Sequence, residues 1–220
     1  MLNPTNHITC CPPGKLQSPN ELQHVVVASM MRSGTHIVID IILNNFVSLR
    51  KQPLYVNLDT YLNQGGDINM LDESGGTLVK THYPQTSISL ANNSDLGIFL
   101  QKCKVILVKR ASDQMKKSLA NFGELGKKEL ASFDESFVRH TTYWRSHSNY
   151  LTLHYDDLID ANKLEEIIVS ISNFLELPIP AHLRGPRCKD QRWRIKFDKA
   201  LTRLLGPLAP RINTGIGLGS

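Results

Sequence analysis

Three short segments of this 220-residue chain hold residue types that could do chemistry on an anion. The first is Arg32-Ser33-Gly34-Thr35-His36, set between the apolar run Val25–Ser29 (VVVAS) and the long apolar stretch that ends at Phe46. A turn from strand to helix presents the unpaired N–H groups of the helix start. With two hydroxyls, one guanidinium and a glycine that permits close approach, it becomes an anion cradle at the positive end of a helix dipole. The same residues also suit a plain turn in which Ser33 or Thr35 caps the helix. The loop is not a Walker A sequence, because no G-x-x-x-x-G-K-[ST] occurs. The second segment is Leu78–Pro84 (LVKTHYP). Side chains alternate along a strand, so Lys80 and His82 face the same side, a fixed charge beside an imidazole whose ordinary pKa of about 6.5 suits a general base. Taken alone, such a histidine is more often an ordinary surface or hydrogen-bonded residue. In the third segment, Arg110 leaves a strand at its end and Ser118 follows two turns into a helix; a surface ion pair and a solvated serine are the plain alternatives.

Bringing these segments together requires a sheet whose strand ends meet. Val25–Ser29 reads as a buried strand and Thr35–Phe46 as a mostly buried helix. Leu78–Thr81 and Lys104–Val108 read as further strands, the second leading into a helix over 112–122 with Ser112 as its N-cap. Phe133–His147 predicts a helix and Tyr150–His154 a strand. Within Lys163–Leu175 the residues Leu164, Ile167, Ile168, Ile171, Phe174 and Leu175 recur at three- and four-residue steps, the stripe of an amphipathic helix that Pro178 and Pro180 stop. Strands separated by helices imply right-handed crossovers, hence an α/β domain of three layers, α/β/α, around a central parallel sheet. Ligands then sit at the carboxyl ends of the strands. Residues 1–23, with Pro4, Pro12, Pro13, Gly14 and Pro19, predict an irregular arm; the domain is expected over 24–205, with a tail at 206–220.

Composition narrows the partners only partly. With 41% hydrophobic residues and a mean hydropathy of −0.21 the chain reads as one globular domain, not a disordered tail or a disulfide mini-protein. No apolar run approaches the roughly 18 residues of a membrane span, and the opening residues lack a signal peptide's pattern, so a cytoplasmic protein is expected. Cys10, Cys11, Cys103 and Cys188 form no C-x-x-C and stand at no zinc-ligand spacing, which predicts reduced thiols and no metal. The net charge of +5 suits a nucleic acid, an anionic membrane or an anionic small molecule. It is local: seven basic residues between Arg184 and Lys199, against Asp190 and Asp198, equal the whole excess.

In this order and at these positions, the three segments resemble the sulfotransferases that use 3′-phosphoadenosine 5′-phosphosulfate. Arg32, Ser33, Gly34 and Thr35 match the family's 5′-phosphosulfate loop, Lys80, Thr81, His82 and Pro84 its Lys-Thr-His-x-Pro segment, and Arg110 with Ser118 its 3′-phosphate motif. Tyr155-Asp-Asp-Leu158 looks like its Tyr-Glu-Asp-Leu, whose tyrosine lies near the adenine, and the likeness runs over roughly residues 24 to 180. It implies a P-loop-NTPase-like fold and transfer of a sulfuryl group to the hydroxyl of a small molecule, glycan or glycolipid. By the same resemblance His82 is the base, Lys80 and Arg32 stabilise the transferring charge, and the loop through His36 holds the phosphosulfate. Arg110 and Ser118 bind the 3′-phosphate, Tyr155 lies by the adenine, and Arg184-Gly185 close over the nucleotide; neither metal nor nucleic acid is implied. The chain departs from the pattern at Met31, where proline is usual, at Ile37 for tryptophan, at Ala111-Ser112 for Asn-Pro, and at Gln114 for aspartate, while the late Arg-Lys-Gly loop is poorly matched. A nucleotide-dependent kinase of P-loop type and a basic nucleic-acid-binding module are the rival readings.

Overall fold

The computed structural model describes residues 8–9, 23–50, 54–84, 94–122, 132–147 and 149–186. Six strands, β1 (Ile8–Thr9), β2 (Val25–Ser29), β3 (Tyr55–Asn57), β4 (Leu78–Thr81), β5 (Lys104–Lys109) and β6 (Tyr150–His154), form one sheet in the order β1-β3-β4-β2-β5-β6. Every pairing is parallel. β2 is central, flanked by β4 in the register Val27↔Lys80 and by β5 in the register Ser29↔Val108, so the ends of the three chemically interesting segments are neighbours. This is the three-layer α/β/α architecture around a central parallel sheet that the alternation of strand and helix patterns implies.

The period of two along β2 sorts its side chains to two cores. Val25 and Val27 join Ile39, Ile42 and Leu43 of α1 (Thr35–Asn45) and Ile168 and Ile171 of α8 (Leu164–Leu175) on one face. Val26 and Ala28 join the other face, against α2 (Leu58–Asn63), α3 (Ile68–Glu73), α4 (Ser94–Lys102) and Trp144 of α6 (Phe133–Arg145). Val26, Val27 and Ala28 are 0% exposed, and each such valine contributes about 1.5–3 kcal/mol. A strand anchored on both faces gives a rigid floor to the turn that follows it. α1 is rich in β-branched residues of mediocre helix propensity, yet nine of its eleven residues are buried; packing on both sides, not propensity, makes it a helix.

Several expectations shift. Ile8–Thr9 pairs with Tyr55–Val56 as an edge strand, although an irregular arm is expected there; the open edge of β3 offers unpaired backbone groups for it. α5 (Ser112–Phe122) begins at Ser112 itself, with Met115 N–H donating to Ala111 O, and the Ser112 hydroxyl donates to Asp134 rather than capping the helix. α8 ends before its prolines, because Glu176 takes a left-handed φ of 56° and Leu177 N–H returns to Ser172 O. A short α7 (Tyr155–Ile159) follows β6. Cys103 is a free, buried thiol donating to Phe99 O, its pKa raised by burial; Cys10, Cys11 and Cys188 lie outside the described residues, as does the tail. Among the described residues no helix is long and apolar enough to cross a membrane, and no group of three His, Cys, Asp or Glu could hold a metal ion.

Candidate active site at the carboxyl edge

The turn after β2 is built by two left-handed residues, Arg32 at φ 67° and Gly34 at φ 98°. Gly34 is the N-cap position of α1, and the Gly34, Thr35 and His36 N–H groups find no backbone acceptor among the described residues. No acidic side chain occupies the first turn, so the positive helix end is left open to an anion. Thr35 Oγ1 lies 2.5 Å from Ser29 Oγ, which fixes the hydroxyl against the strand end. Ser33 departs from its expected role: its hydroxyl donates to Met115 Sδ at 2.9 Å and the residue is 1% exposed. The side chain faces the interior, so only the Ser33 backbone remains at the turn.

Arg32 Nε donates to Ser118 Oγ at 3.2 Å, joining residues 86 positions apart. Arg110 Nη1 donates to Arg32 O at 2.7 Å and Arg110 Nε to Gln114 Oε1 at 3.1 Å. Its guanidinium lies 3.8 Å from the centroid of the Tyr155 ring, a cation–π contact. That ring covers Gly34, where an added Cβ would meet Tyr155 Cδ2 at 2.8 Å. The loop, the strand-end arginine, the helix serine and the tyrosine therefore form one hydrogen-bonded and stacked cluster. Gln114, a departure in sequence, orients Arg110 as a neutral acceptor; the four-residue spacing from Arg110 was the only signal for it.

β4 brings the second segment to the same edge. His82 Nδ1 donates to Ser29 O at 2.8 Å, which leaves Nε2 as the acceptor nitrogen. Burial first, then the charge of Lys80, holds the imidazole pKa well below its ordinary value, so His82 is a neutral base at neutral pH. Asp59, on α2, orients this strand end: Oδ1 accepts from the Thr81 hydroxyl at 2.7 Å and Oδ2 from His82 N–H at 2.8 Å. Its pKa is raised by burial against those bonds. Lys80 is 7% exposed and, among the described residues, makes no hydrogen bond or ion pair; burial lowers its pKa, with Asp59 pulling the other way. A buried ammonium without a contacting carboxylate invites an anionic ligand. His36 is held to about 3 by burial and by the charges of Lys80 and Arg32, and its Nε2 lies 3.4 Å from the Tyr55 hydroxyl. Sequence reasoning did not reach Asp59 or the whole β3-α2 unit, because a three-residue strand and a six-residue helix leave almost no periodicity to read.

Two expected residues lie elsewhere. Asn45 Oδ1 accepts from Arg184 N–H at 2.8 Å, Asn45 Nδ2 donates to Arg184 O at 2.7 Å, and Asn44 Nδ2 reaches Gly185 O. These asparagines end α1, about 15 Å along the helix from its open N-terminus at 1.5 Å per residue. Arg184 and Gly185 are thus anchored at the opposite end from the turn, with the Arg184 side chain exposed, and do not close over it. The basic residues from Arg187 to Lys199 lie outside the described residues.

His140, on α6, is a third buried imidazole near this edge, 3% exposed and held to about 4 by burial against the pull of the Ser29 backbone. A histidine that is neutral when folded and titrates near 6.5 when unfolded binds fewer protons in the native state. Stability is therefore full above about pH 6.5 and falls as the pH drops toward 4. Thermal denaturation between pH 7 and 5 is expected to show this fall, with His140 contributing at most a little over 1 kcal/mol per pH unit. His140→Phe, which cannot protonate, is expected to lessen a slope that His36 and His82 share; an unchanged slope would remove His140 as a contributor.

No protein-family model matches the chain, and no curated protein matches it in sequence. Among solved structures it is similar to shikimate kinase from Bacteroides thetaiotaomicron, with 13% identity and a TM-score of 0.49 over 71% of this chain and 99% of that one. It is also similar to a retinol dehydratase in complex with androsterone and the inactive cofactor PAP, with 18% identity and a TM-score of 0.41 over 83% of this chain and 66% of that one. This chain thus spans about two thirds of the retinol dehydratase.

Proposed function

We propose that this protein transfers the sulfuryl group of 3′-phosphoadenosine 5′-phosphosulfate to an acceptor hydroxyl. The observation that carries the reading is the single cluster at the β2 edge: Arg32 bonded to Ser118, Arg110 bonded to Arg32 O, and His82 bonded to Ser29 O. Each bond crosses between segments that only the fold makes neighbours. The donor set suits a polyanion: three helix-start N–H groups, a buried ammonium at Lys80 that forms no hydrogen bond or ion pair among the described residues, and two guanidiniums, with no carboxylate in the first turn of α1.

The nucleotide supplies a sulfuryl group on a good leaving oxygen, and such transfer runs in line through a loose transition state, where positioning and charge matter most. His82 Nε2 takes the acceptor proton as the acceptor oxygen bonds to sulfur. Lys80 and Arg32 stabilise charge as the bond from sulfur to the 5′-phosphate oxygen breaks. The N–H groups of Gly34, Thr35 and His36 hold the phosphosulfate, and Thr35 orients its hydroxyl through Ser29. Arg110 and Ser118 take the 3′-phosphate, with Tyr155 stacked beneath the guanidinium. Arg184 and Gly185 have no part in this arrangement.

The test is incubation with sulfur-labelled 3′-phosphoadenosine 5′-phosphosulfate and a panel of phenols, sterols, glycolipids and oligosaccharides, with label expected on an acceptor. Thermal-shift screening separates the rivals: stabilisation by adenosine 3′,5′-bisphosphate supports the proposal, and preferential stabilisation by ATP with magnesium supports a kinase. Arg110→Ala is expected to weaken the bisphosphate about 10- to 100-fold, the loss of one or two charged hydrogen bonds. Calorimetric affinity within twofold of wild type would remove the 3′-phosphate assignment.

A further inference from the structure

Beside the turn, a cavity of about 360 Å³ opens between the carboxyl ends of β5 and β6 and the helix α6. That volume falls within the range of small-ligand sites. Its floor is apolar, with Met30, Leu107, Met115 and Phe137, and Met30 and Met115 are almost fully buried. Along α6 the lining residues Phe137, Thr141 and Arg145 recur every four positions, so one helix face forms the wall, with His140 beside it. At the Arg145 end Lys109, the last residue of β5, enters the same cavity.

Two features of this wall are unsatisfied. His140 is buried at 3% exposure and its Nε2 has no hydrogen-bond partner. Lys109 and Arg145 belong to none of the ion pairs among the described residues, and Asp156, the one carboxylate in the lining, pairs with neither. Burial and the charge of Arg145 both lower the pKa of Lys109, as expected of two cations set side by side. Arg110 and Tyr155, given above to the nucleotide, also line the cavity, which therefore adjoins the proposed 3′-phosphate site.

We propose that this cavity binds a small aromatic organic anion, its ring on Phe137 and its anionic group between Lys109 and Arg145. Under the function proposed above this ligand is the acceptor, and that role rests on that reading; the binding site does not. Met30, which lines the cavity, follows Ser29, whose carbonyl accepts from His82, but His82 itself is not among the lining residues. A neutral phenol fits the apolar floor equally well but leaves both cations without a partner, so charge should select the ligand.

Isothermal titration of the full chain with 4-hydroxybenzoate, and with phenol as the neutral analogue, tests this. 4-Hydroxybenzoate is expected to bind about tenfold more tightly than phenol. The Lys109→Ala/Arg145→Ala variant is expected to lose that preference while its affinity for adenosine 3′,5′-bisphosphate stays within twofold. Lys109→Arg, which keeps the charge, is expected to retain it and guards against a folding defect in the double variant. Equal affinity for the two phenols, or an unchanged preference in the folded double variant, would overturn the assignment. So would competition between 4-hydroxybenzoate and saturating bisphosphate, which would make the cavity part of the nucleotide site. Selective 4-hydroxybenzoate binding by a chain that ignores the bisphosphate would uphold the cavity and defeat the sulfuryl-transfer reading.

Discussion

His82→Ala is expected to lower sulfuryl transfer by about 10²- to 10⁴-fold, the usual contribution of a positioned general base, while adenosine 3′,5′-bisphosphate binds as before. The split follows from the geometry. Among the described residues His82 reaches the turn through Ser29, whose carbonyl accepts from Nδ1 and whose hydroxyl lies 3.4 Å from it, whereas the nucleotide's contacts are assigned to the α1 N-terminus, Arg32, Arg110 and Ser118. The pH profile of wild-type kcat/KM adds a second check. A base whose pKa lies well below 6.5 stays unprotonated as the pH falls through 7 and 6, so the acid limb is expected below the ordinary histidine range. His82→Ala with wild-type turnover, or an acid limb at 6.5 or above that vanishes in that variant, would remove His82 from the role given to it.

Gly34→Ala carries the second large effect. At φ 98° an L residue costs of order 1–3 kcal/mol, and the new methyl would stand 2.8 Å from Tyr155 Cδ2. The ring cannot recede freely, because Arg110 stacks on it and Arg110 is itself bonded to Arg32 O. Relief therefore displaces Arg110 along with the Arg32–Thr35 turn, and both stability and affinity for adenosine 3′,5′-bisphosphate are expected to fall. A melting temperature lower by about 2–4 °C per kcal/mol is expected for a chain of this size. Tyr155→Ala in the same background removes the clash but not the backbone strain, so the double variant is expected to recover only part of the loss. Wild-type melting and affinity in Gly34→Ala would mean that the turn is not held in this conformation.

Much of this arrangement is legible in the chain itself. Long or strongly periodic elements, such as Val25–Ser29, Thr35–Asn45 and Leu164–Leu175, announce themselves because burial imposes a period of two or 3.6 on the apolar residues. The short units Tyr55–Asn57, Leu58–Asn63 and Ile68–Glu73 do not, since six residues hold fewer than two helical turns. Asp59 was invisible for that reason, although its two hydrogen bonds orient the Thr81-His82 strand end.

By itself the sequence determined which residues could handle an anion and at which strand ends they stand, because motif residues and alternation are local properties. The tertiary structure alone decided their directions and partners. It turned the Ser33 hydroxyl into the interior toward Met115 and gave Arg110 a neutral partner in Gln114. It also anchored Arg184 to Asn45, at the opposite end of α1 from the turn. Each outcome depends on which buried polar group lies within 3 Å, a distance set by packing between segments far apart in the chain. No spacing rule within a single segment contains it.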